Sequence, residues 1–322
     1  MRAIVFERTG EPRDVLALCE VPTPTVGPGQ VLVAVEASPV HPADFGFIRG
    51  SYRVKPSFPQ IAGLSGAGHV LATGDGVRLA RGVRVAFRWP GAWAEQVAVR
   101  VERTFVVPED IAAEVAAQFP VNPITAWGLL DVARAQPGQW LGLTAASSSV
   151  AALVGALAGE RGLHVVGISR PGSLTALAAG VHGVADDEPD LAARVRAVTT
   201  DQGLAALIDG VGGPLLGKLF PALAPGASVI AYGTLSPEPV PVRNATLVYG
   251  NLTWQGFGID RYSASLTAER LATMTSGLWD GIRHHLLPLP IQQRLALADF
   301  SEGLRLAVSG GRGKVVLAPV VS

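Results

Sequence analysis

The stretch from Trp140 to Asp187 limits more than any other what this chain of 322 residues can fold into. A short apolar run, Trp140–Thr144, enters a turn of small residues, AASSSV, and a strongly apolar helical segment follows to about Gly159. Arg161-Gly162 punctuate its end. A second apolar run, HVVGIS, then leads to Arg170-Pro171-Gly172 and another segment rich in Ala and Leu. Strand, turn, helix and strand in this order predict a βαβ unit of the doubly wound type. The small side chains at Ala145–Ser149 let a phosphate group approach the backbone N–H groups at the helix start, where unpaired amides and the helix dipole favour an anion. The glycines usual in such a turn are replaced: Ser149 and Ala151 stand where a G-x-x-G pattern would place them. Two readings are open at this point, a dinucleotide site with a serine-rich turn or a buried βαβ unit without a ligand.

The same alternation continues beyond the unit. Strands are predicted at 140–144, 164–169, 182–185, 204–209, 227–232 and 252–257, separated by helical or turn segments, which is the pattern of a parallel sheet in an α/β fold. Residues 1–118 read differently. Short apolar or alternating runs (RAIVFE, VLVAVEAS, SGAGHVLAT, RVAFR, WAEQVAV) are divided by Pro/Gly turns and suggest a compact barrel-like domain. Helical pattern covers Ala112–Phe119 and the segment after Val121, where Pro137-Gly138 closes a helix, and it returns over Ser265–Asp280. The final strand, KVVLAPV, is isolated from the parallel run and can return to the first domain. The predicted division is 1–118 with 261–322 as one discontinuous domain and 119–260 as the other.

Composition narrows the function classes. Hydrophobic residues make up 48% and charged residues 16%, enough apolar material for two packed cores and too much for disorder. Lys+Arg and Asp+Glu are equal at 26 each, which argues against nucleic acid or an anionic membrane as partner. The single cysteine, Cys19, rules out an internal disulfide and a multi-cysteine zinc site. No stretch approaches the roughly 20 apolar residues of a membrane span, and the N-terminal MRAIVFERTG has no long apolar region, so a soluble cytoplasmic protein is expected.

Landmarks spread over nearly the whole chain carry a resemblance. They are PVHPADFGFIRGSY, FPQIAGLSGAGHVLATGDGV with RGVRVAF, VNPITAWGLL, AASSSVAALVGALA, ASVIAYGTLS, LTWQGF and ADFSEGLRLAVSGGRGKVVL. In this order and spacing the chain resembles the medium-chain dehydrogenase/reductase superfamily, in its zinc-independent branch of quinone oxidoreductases and 2-enoyl thioester reductases. The VNPIT segment and Gly50-Ser51-Tyr52 lean toward the enoyl reductases. The resemblance implies a β-rich GroES-like barrel domain, a Rossmann nucleotide-binding domain, an active site in the cleft between them, and a homodimer formed through edge strands such as LTWQGF.

It also implies roles for particular residues. Zinc-dependent members use a Cys in the first segment and Gly-His-Glu in the second; here the second reads Gly63-Leu64-Ser65 and no Cys lies near the first, so no metal is expected. The six histidines show no clustered ligand spacing. Hydride addition to a conjugated C=C needs no Lewis acid, because the charge moves to a carbonyl oxygen that hydrogen bonds stabilise. Tyr52 stands where the enoyl reductases carry their catalytic tyrosine, and a phenol stays protonated at neutral pH and can donate to the α-carbon. Its other reading is a loop tyrosine packed on the barrel. His41, where many relatives have Asn, is either a hydrogen-bond donor to the substrate carbonyl or structural.

The cofactor phosphates are expected on Ser147, Ser148, Ser149 and Val150, whose hydroxyls replace contacts that glycines leave to the backbone. Ser169 and Arg170 follow the second strand, where no carboxylate stands to accept from a ribose 2′-OH; a hydroxyl and a guanidinium suit a 2′-phosphate, which favours NADPH over NADH. By resemblance alone, Asn122 and Thr125 approach the nicotinamide and ribose, Tyr232, Gly233, Thr234 and Leu235 line the fifth strand's carboxyl end, Phe257, Gly258 and Ile259 hold the carboxamide, and Lys314 helps bind a cofactor phosphate. The expected function is reduction of the C=C bond of an α,β-unsaturated thioester or ketone. The alternatives are an NADPH:quinone oxidoreductase and a non-catalytic binding or regulatory relative, which the glycine-poor turn would suit.

Overall fold

The computed structural model describes residues 1–319, which divide into two compact units. The first comprises Met1–Val121 and the chain from Leu289 onward; the second is Asn122–Pro288.

Among the described residues, the first unit is built on ten strands. They are β1 (Arg2–Phe6), β2 (Ala17–Glu20), β3 (Gln30–Pro39), β4 (Gln60–Ile61), β5 (Gly66–Thr73), β6 (Arg84–Phe87), β7 (Gln96–Arg100) and β8 (Thr104–Val106), with two more from the returning chain. A small antiparallel sheet has the order β2-β1-β4. In β3 the side chains of Val31, Val33 and Val35 are buried while Gln30, Leu32, Ala34 and Glu36 are less so, the period-two alternation of a strand with one face inward. Those valines pack with Val70, Val85, Phe87, Val97 and Val99 into one core cluster. A second cluster gathers Ile4, Phe6, Phe47, Ile48 and Trp93 around the returning Val315 and Leu317. Gly63 is required beside it: its φ is +84°, and a Cβ there would run into the buried ring of Trp93.

The second unit carries six parallel strands: β9 (Trp140–Leu143), β10 (His164–Ser169), β11 (Val181–Ala185), β12 (Leu204–Asp209), β13 (Leu223–Ala231) and β14 (Thr253–Gly256). Their order, β11-β10-β9-β12-β13-β14, is the doubly wound arrangement in which the chain reverses direction of winding between the first and fourth strands. β12 is buried almost throughout, as a strand covered on both faces must be. Helix Ser149–Glu160 buries Ala151, Leu153, Val154, Leu157 and Ala158.

Two features depart from the expected layout. Residues 261–288, assigned from sequence to the first domain, belong to the second unit. Helices Ile259–Ser265 and Ala268–Arg283 pack against helix Asn122–Ala133, and Met274, Leu278 and Ile282, spaced four apart, form the buried face. The boundary therefore falls at Leu289 rather than after Asp260. The other departure is a strand, β15 (Ile291–Ala296), that lies parallel to the terminal β16 (Lys314–Ala318). β16 pairs antiparallel with β3 through Val316–Pro39 and Leu317–Ser38, so the last strand does return to the first unit, in the order β15-β16-β3-β5-β6-β8 with β7 also on β3. Val320, the end of the expected KVVLAPV strand, lies outside the described residues.

Candidate functional site

The carboxyl edge of the parallel sheet collects most of the residues singled out in the second unit. β9 ends at Leu143, and the chain turns through Ala145, whose φ of +48° is left-handed, to Ser148 at the helix N-cap. The Ser148 hydroxyl accepts from the Ala151 N–H at 3.3 Å. Ser147 is exposed, and the Ser169 hydroxyl, at the end of β10, donates to its Oγ at 3.2 Å. Arg170 follows, exposed. From the end of β13, the Tyr232 side chain reaches the same turn; burial pushes its phenol above the usual range, and a hydrogen bond with the Ser148 side chain pulls the other way. Ser147, Ser148, Ser169 and Tyr232 thus form one continuous polar rim at a helix N-terminus.

Beneath this rim lies a carboxylate. The Asp209 side chain, wholly buried at the end of β12, accepts from the Thr144 hydroxyl at 2.6 Å through Oδ1. It also accepts from the Val211 N–H at 3.2 Å and, through Oδ2, the Gly212 N–H at 2.9 Å, while the Gly210 N–H donates to Thr144 at 2.9 Å. Burial raises the Asp209 carboxyl above its ordinary range, and these three hydrogen bonds oppose the rise. The network ties the loop after β9 to the loop after β12 at the switch point where such sheets bind ligands. A Cβ on Gly233 would strike the carbonyl of Gly210, so the loop after β13 is held against them as well.

The other residues expected in this unit are placed as follows. Asn122 and Thr125 are both buried at the start of helix Asn122–Ala133, and Asn122 Nδ2 has no hydrogen-bond partner among the described residues. Ser149 and Val150 open helix Ser149–Glu160. Thr234 and Leu235 are exposed, Leu235 at 66%. Phe257 leaves β14 with its N–H donating to the Ala231 carbonyl at 2.8 Å, its ring 5.6 Å from that of Tyr262; Gly258 and Ile259 lead into the next helix.

In the first unit, helix Pro42–Ile48 starts with Pro42 at its first position and His41 as N-cap. The His41 backbone N–H donates to Asp44 Oδ2 at 2.7 Å. Both side chains are buried, within reach of the Lys314 charge on β16. Burial, with the Lys314 charge, drives the His41 imidazole well below its usual range, so it is neutral at pH 7. Burial raises the Asp44 carboxyl to about 7, against the hydrogen bonds from the His41 and Leu64 backbone and the Lys314 charge. Burial lowers Lys314, and Asp44 supports its charge. His41 Nε2, Asp44 Oδ1 and Ser65 Oγ have no hydrogen-bond partner among the described residues. Tyr52 is half-buried against the cluster that holds Phe47 and Trp93, with the Arg53 guanidinium 5.4 Å from its ring centre. Among the described residues no three His, Cys, Asp or Glu side chains gather where they could hold a metal ion.

Residues 27–109 match the model of the alcohol dehydrogenase GroES-like domain. The mitochondrial enoyl-[acyl-carrier-protein] reductase of Bos taurus is 28% identical, over 93% of this chain and 83% of its own length; that of Dictyostelium discoideum is 26% identical, over 98% and 94%. Among solved structures, the quinone oxidoreductase of Pseudomonas syringae pv. tomato superposes with a TM-score of 0.89 at 25% identity, covering 99% of each chain. A mycobacterial protein solved in complex with NADPH superposes with a TM-score of 0.87 at 28% identity, covering 99% of this chain and all of its own. Together these likenesses support the zinc-independent branch of the medium-chain dehydrogenase/reductase superfamily.

Two residues beside the glycine-poor turn were not singled out from the sequence. Thr144 and Asp209 carry the hydrogen bonds that shape the turn, yet neither was among the expected site residues. Their signal was present in LIDGVGG, an acidic residue at the end of an apolar strand followed at once by glycines, and in the threonine closing Trp140–Thr144.

Proposed function

We propose that this chain is an NADPH-dependent, zinc-independent reductase that saturates the C=C bond of an α,β-unsaturated thioester or ketone, with Tyr52 as the proton donor. The observation that carries this reading is the rim of Ser147, Ser148, Ser169 and Tyr232 at the N-terminus of helix Ser149–Glu160, on the carboxyl edge of the doubly wound sheet. The donor set fits a dinucleotide: hydroxyls and free N-terminal amides for a pyrophosphate, and exposed Arg170 beside Ser169 for a 2′-phosphate. Ser149 and Val150 belong to the same helix start. Asn122, Thr125, Gly233, Thr234, Leu235, Phe257, Gly258, Ile259 and Lys314 complete the proposed cofactor contacts. The names of the Bos taurus and Dictyostelium relatives support the enoyl substrate, and the mycobacterial complex supports NADPH.

When bound, NADPH supplies the hydride that adds at the substrate's β-carbon. The chain's part is the proton and the charge. The Tyr52 phenol delivers its proton to the α-carbon, and hydrogen-bond donors steady the negative charge on the carbonyl oxygen. The neutral imidazole of His41 is suited to donate without competing for the proton. The quinone oxidoreductase name of the Pseudomonas structure favours a second reading, quinone reduction with the same cofactor and no need of the phenol.

The proposed assembly is a homodimer joined through β14, an edge strand whose four residues are all exposed. A cytoplasmic location is part of the same reading, and no described helix is long and apolar enough to cross a membrane.

The deciding experiment is calorimetric titration with NADPH and NADH, alongside Arg170→Ala, followed by a screen of enoyl thioesters, enones and quinones. Preferential NADPH binding weakened by the substitution, with enoyl turnover, is the expected result. Binding of neither nucleotide would establish a non-catalytic relative instead.

A further inference from the structure

The helix that follows β14 is fastened to its neighbours through one phenol. The Tyr262 hydroxyl, on helix Ile259–Ser265, donates to Asp131 Oδ2 at 3.1 Å. The Arg270 guanidinium, on helix Ala268–Arg283, donates to the same oxygen at 2.7 Å. Asp131 lies in the last turn of helix Asn122–Ala133, so one carboxylate joins three helices of the second unit. Gly128, three residues earlier, gives the rings their room: a Cβ there would come within 2.7 Å of Phe257 and 2.8 Å of Tyr262. Burial, then the charge of Asp131, raises the Tyr262 phenol above its ordinary range, so it is a donor at neutral pH.

Tyr262 also holds the segment before it. Its N–H donates to the Gly258 carbonyl at 2.9 Å, and the Phe257 N–H donates to the Ala231 carbonyl at 2.8 Å, so Phe257–Ile259 is pinned from both sides. Gly258 is exposed, and a Cβ on it would meet nothing within 4 Å, which leaves the segment open to a ligand. Along helix Asn122–Ala133, the residues Asn122, Thr125, Gly128 and Asp131 recur at every third position as successive neighbours on one ridge. At its start is the buried Asn122 side chain, whose Nδ2 has no partner among the described residues. An unmet donor in a packed interior costs free energy that a bound acceptor would offset. The ridge thus runs from that donor, past the seat of Phe257, to the carboxylate that anchors Tyr262.

We propose that Asp131 and Tyr262 are positioning residues for the nicotinamide end of the cofactor: their hydrogen bond, with the space left by Gly128, seats Phe257–Ile259 on the helix that carries Asn122 and Thr125. The inference rests on the reductase reading above and adds to it how one end of that site is built. Asp131 and Tyr262 act through the segment and are given no contact with the cofactor. In the same reading the 2′-phosphate and pyrophosphate fall to Arg170 and the serine turn. Loosening the bond is therefore felt at one end of the dinucleotide alone, where small displacements of the reacting ring are costly.

The test compares a whole cofactor with part of one. Calorimetry measures NADPH and adenosine 2′,5′-bisphosphate, which has the 2′-phosphate and lacks the nicotinamide, on the native protein, Tyr262→Phe, Asp131→Ala and Asp131→Asn. The native protein is expected to bind NADPH the more tightly of the two. That preference should fall about tenfold in Tyr262→Phe and Asp131→Ala. Asp131→Asn should restore most of it, because its amide oxygen still accepts from the phenol. Affinity for the bisphosphate should be unchanged throughout, which also shows that each variant is folded. Equal weakening of both ligands in Tyr262→Phe and Asp131→Ala would reduce the bond to ordinary packing and overturn the proposal; so would a preference that both variants keep. A native protein that binds the two ligands alike would overturn it too, while leaving the nucleotide site standing. A native protein that binds neither would remove the reductase reading, and the inference with it.

Discussion

The Thr144 hydroxyl donates to Asp209 Oδ1 at 2.6 Å, linking the ends of the two central strands of the parallel sheet. The same oxygen of Thr144 accepts from the Gly210 N–H, so one hydroxyl holds both the carboxylate and the loop that follows it. Thr144→Val keeps the shape and removes both bonds, leaving a buried carboxyl and an amide short of a partner. The expected loss is about 2 kcal/mol of stability. Urea unfolding at pH 8 measures it, and an unchanged midpoint would show that the link contributes nothing.

Ala145 sits in the left-handed region at φ +48°, in the turn where a nucleotide's phosphates are proposed to lie. A Cβ in that conformation costs about 1–2 kcal/mol, and glycine returns about 0.5–1 of that through the freedom of the unfolded chain. Ala145→Gly is therefore expected to stabilise the protein by about 1 kcal/mol. A lower Tm in the variant would contradict the argument.

Asp44 and His41 give opposite dependences on pH. Burial raises the Asp44 carboxyl from the ordinary aspartate value of 3.8 to about 7 in the fold, so in that window the folded state binds the extra proton and stability falls as pH rises. His41 is held well below 6.5, so under that pH the unfolded chain binds the extra proton and stability climbs with pH. Relative to the native protein, Asp44→Asn should gain stability as pH rises from about 4 to 7. His41→Asn should lose relative stability with rising pH, up to about 6.5. Urea midpoints across this range give both differences, and two flat lines would dismiss the assignments.

Tyr52→Phe separates the two chemistries proposed for the site. Loss of a general acid lowers kcat for an enoyl thioester about 10²- to 10⁴-fold. Quinone reduction should be spared, and calorimetry should find NADPH affinity as in the native protein. An undiminished enoyl rate would remove Tyr52 from the mechanism.

Much of this was readable in the amino-acid order because the second unit's strands are short, apolar and separated by helical periods, and a parallel sheet leaves few other solutions. The serine turn was legible for the same reason: small residues between an apolar run and a helix have a limited set of uses. Asp209 was not, since nothing in a strand-end aspartate states which hydroxyl it will meet 65 residues earlier in the chain. The helix Ala268–Arg283 was misassigned because an amphipathic face records that it is buried, not against what. The meeting of Arg88 and Arg103 beyond the ends of β6 and β8 depends on strand register, which pattern alone does not supply.

The position of β16, between β15 and β3, has a consequence for biosynthesis. The amino-terminal segment leaves the ribosome first, yet its sheet stays incomplete until Lys314–Ala318 emerges, and Phe6, Phe47 and Trp93 lack Val315 and Leu317 until then. The second unit, though begun later, has its entire chain available by Pro288. Nascent molecules are thus expected to acquire protease resistance in the middle of the polypeptide before either end, and the Ser38–Pro39 end of β3, which β16 covers, is where a chaperone would be needed longest.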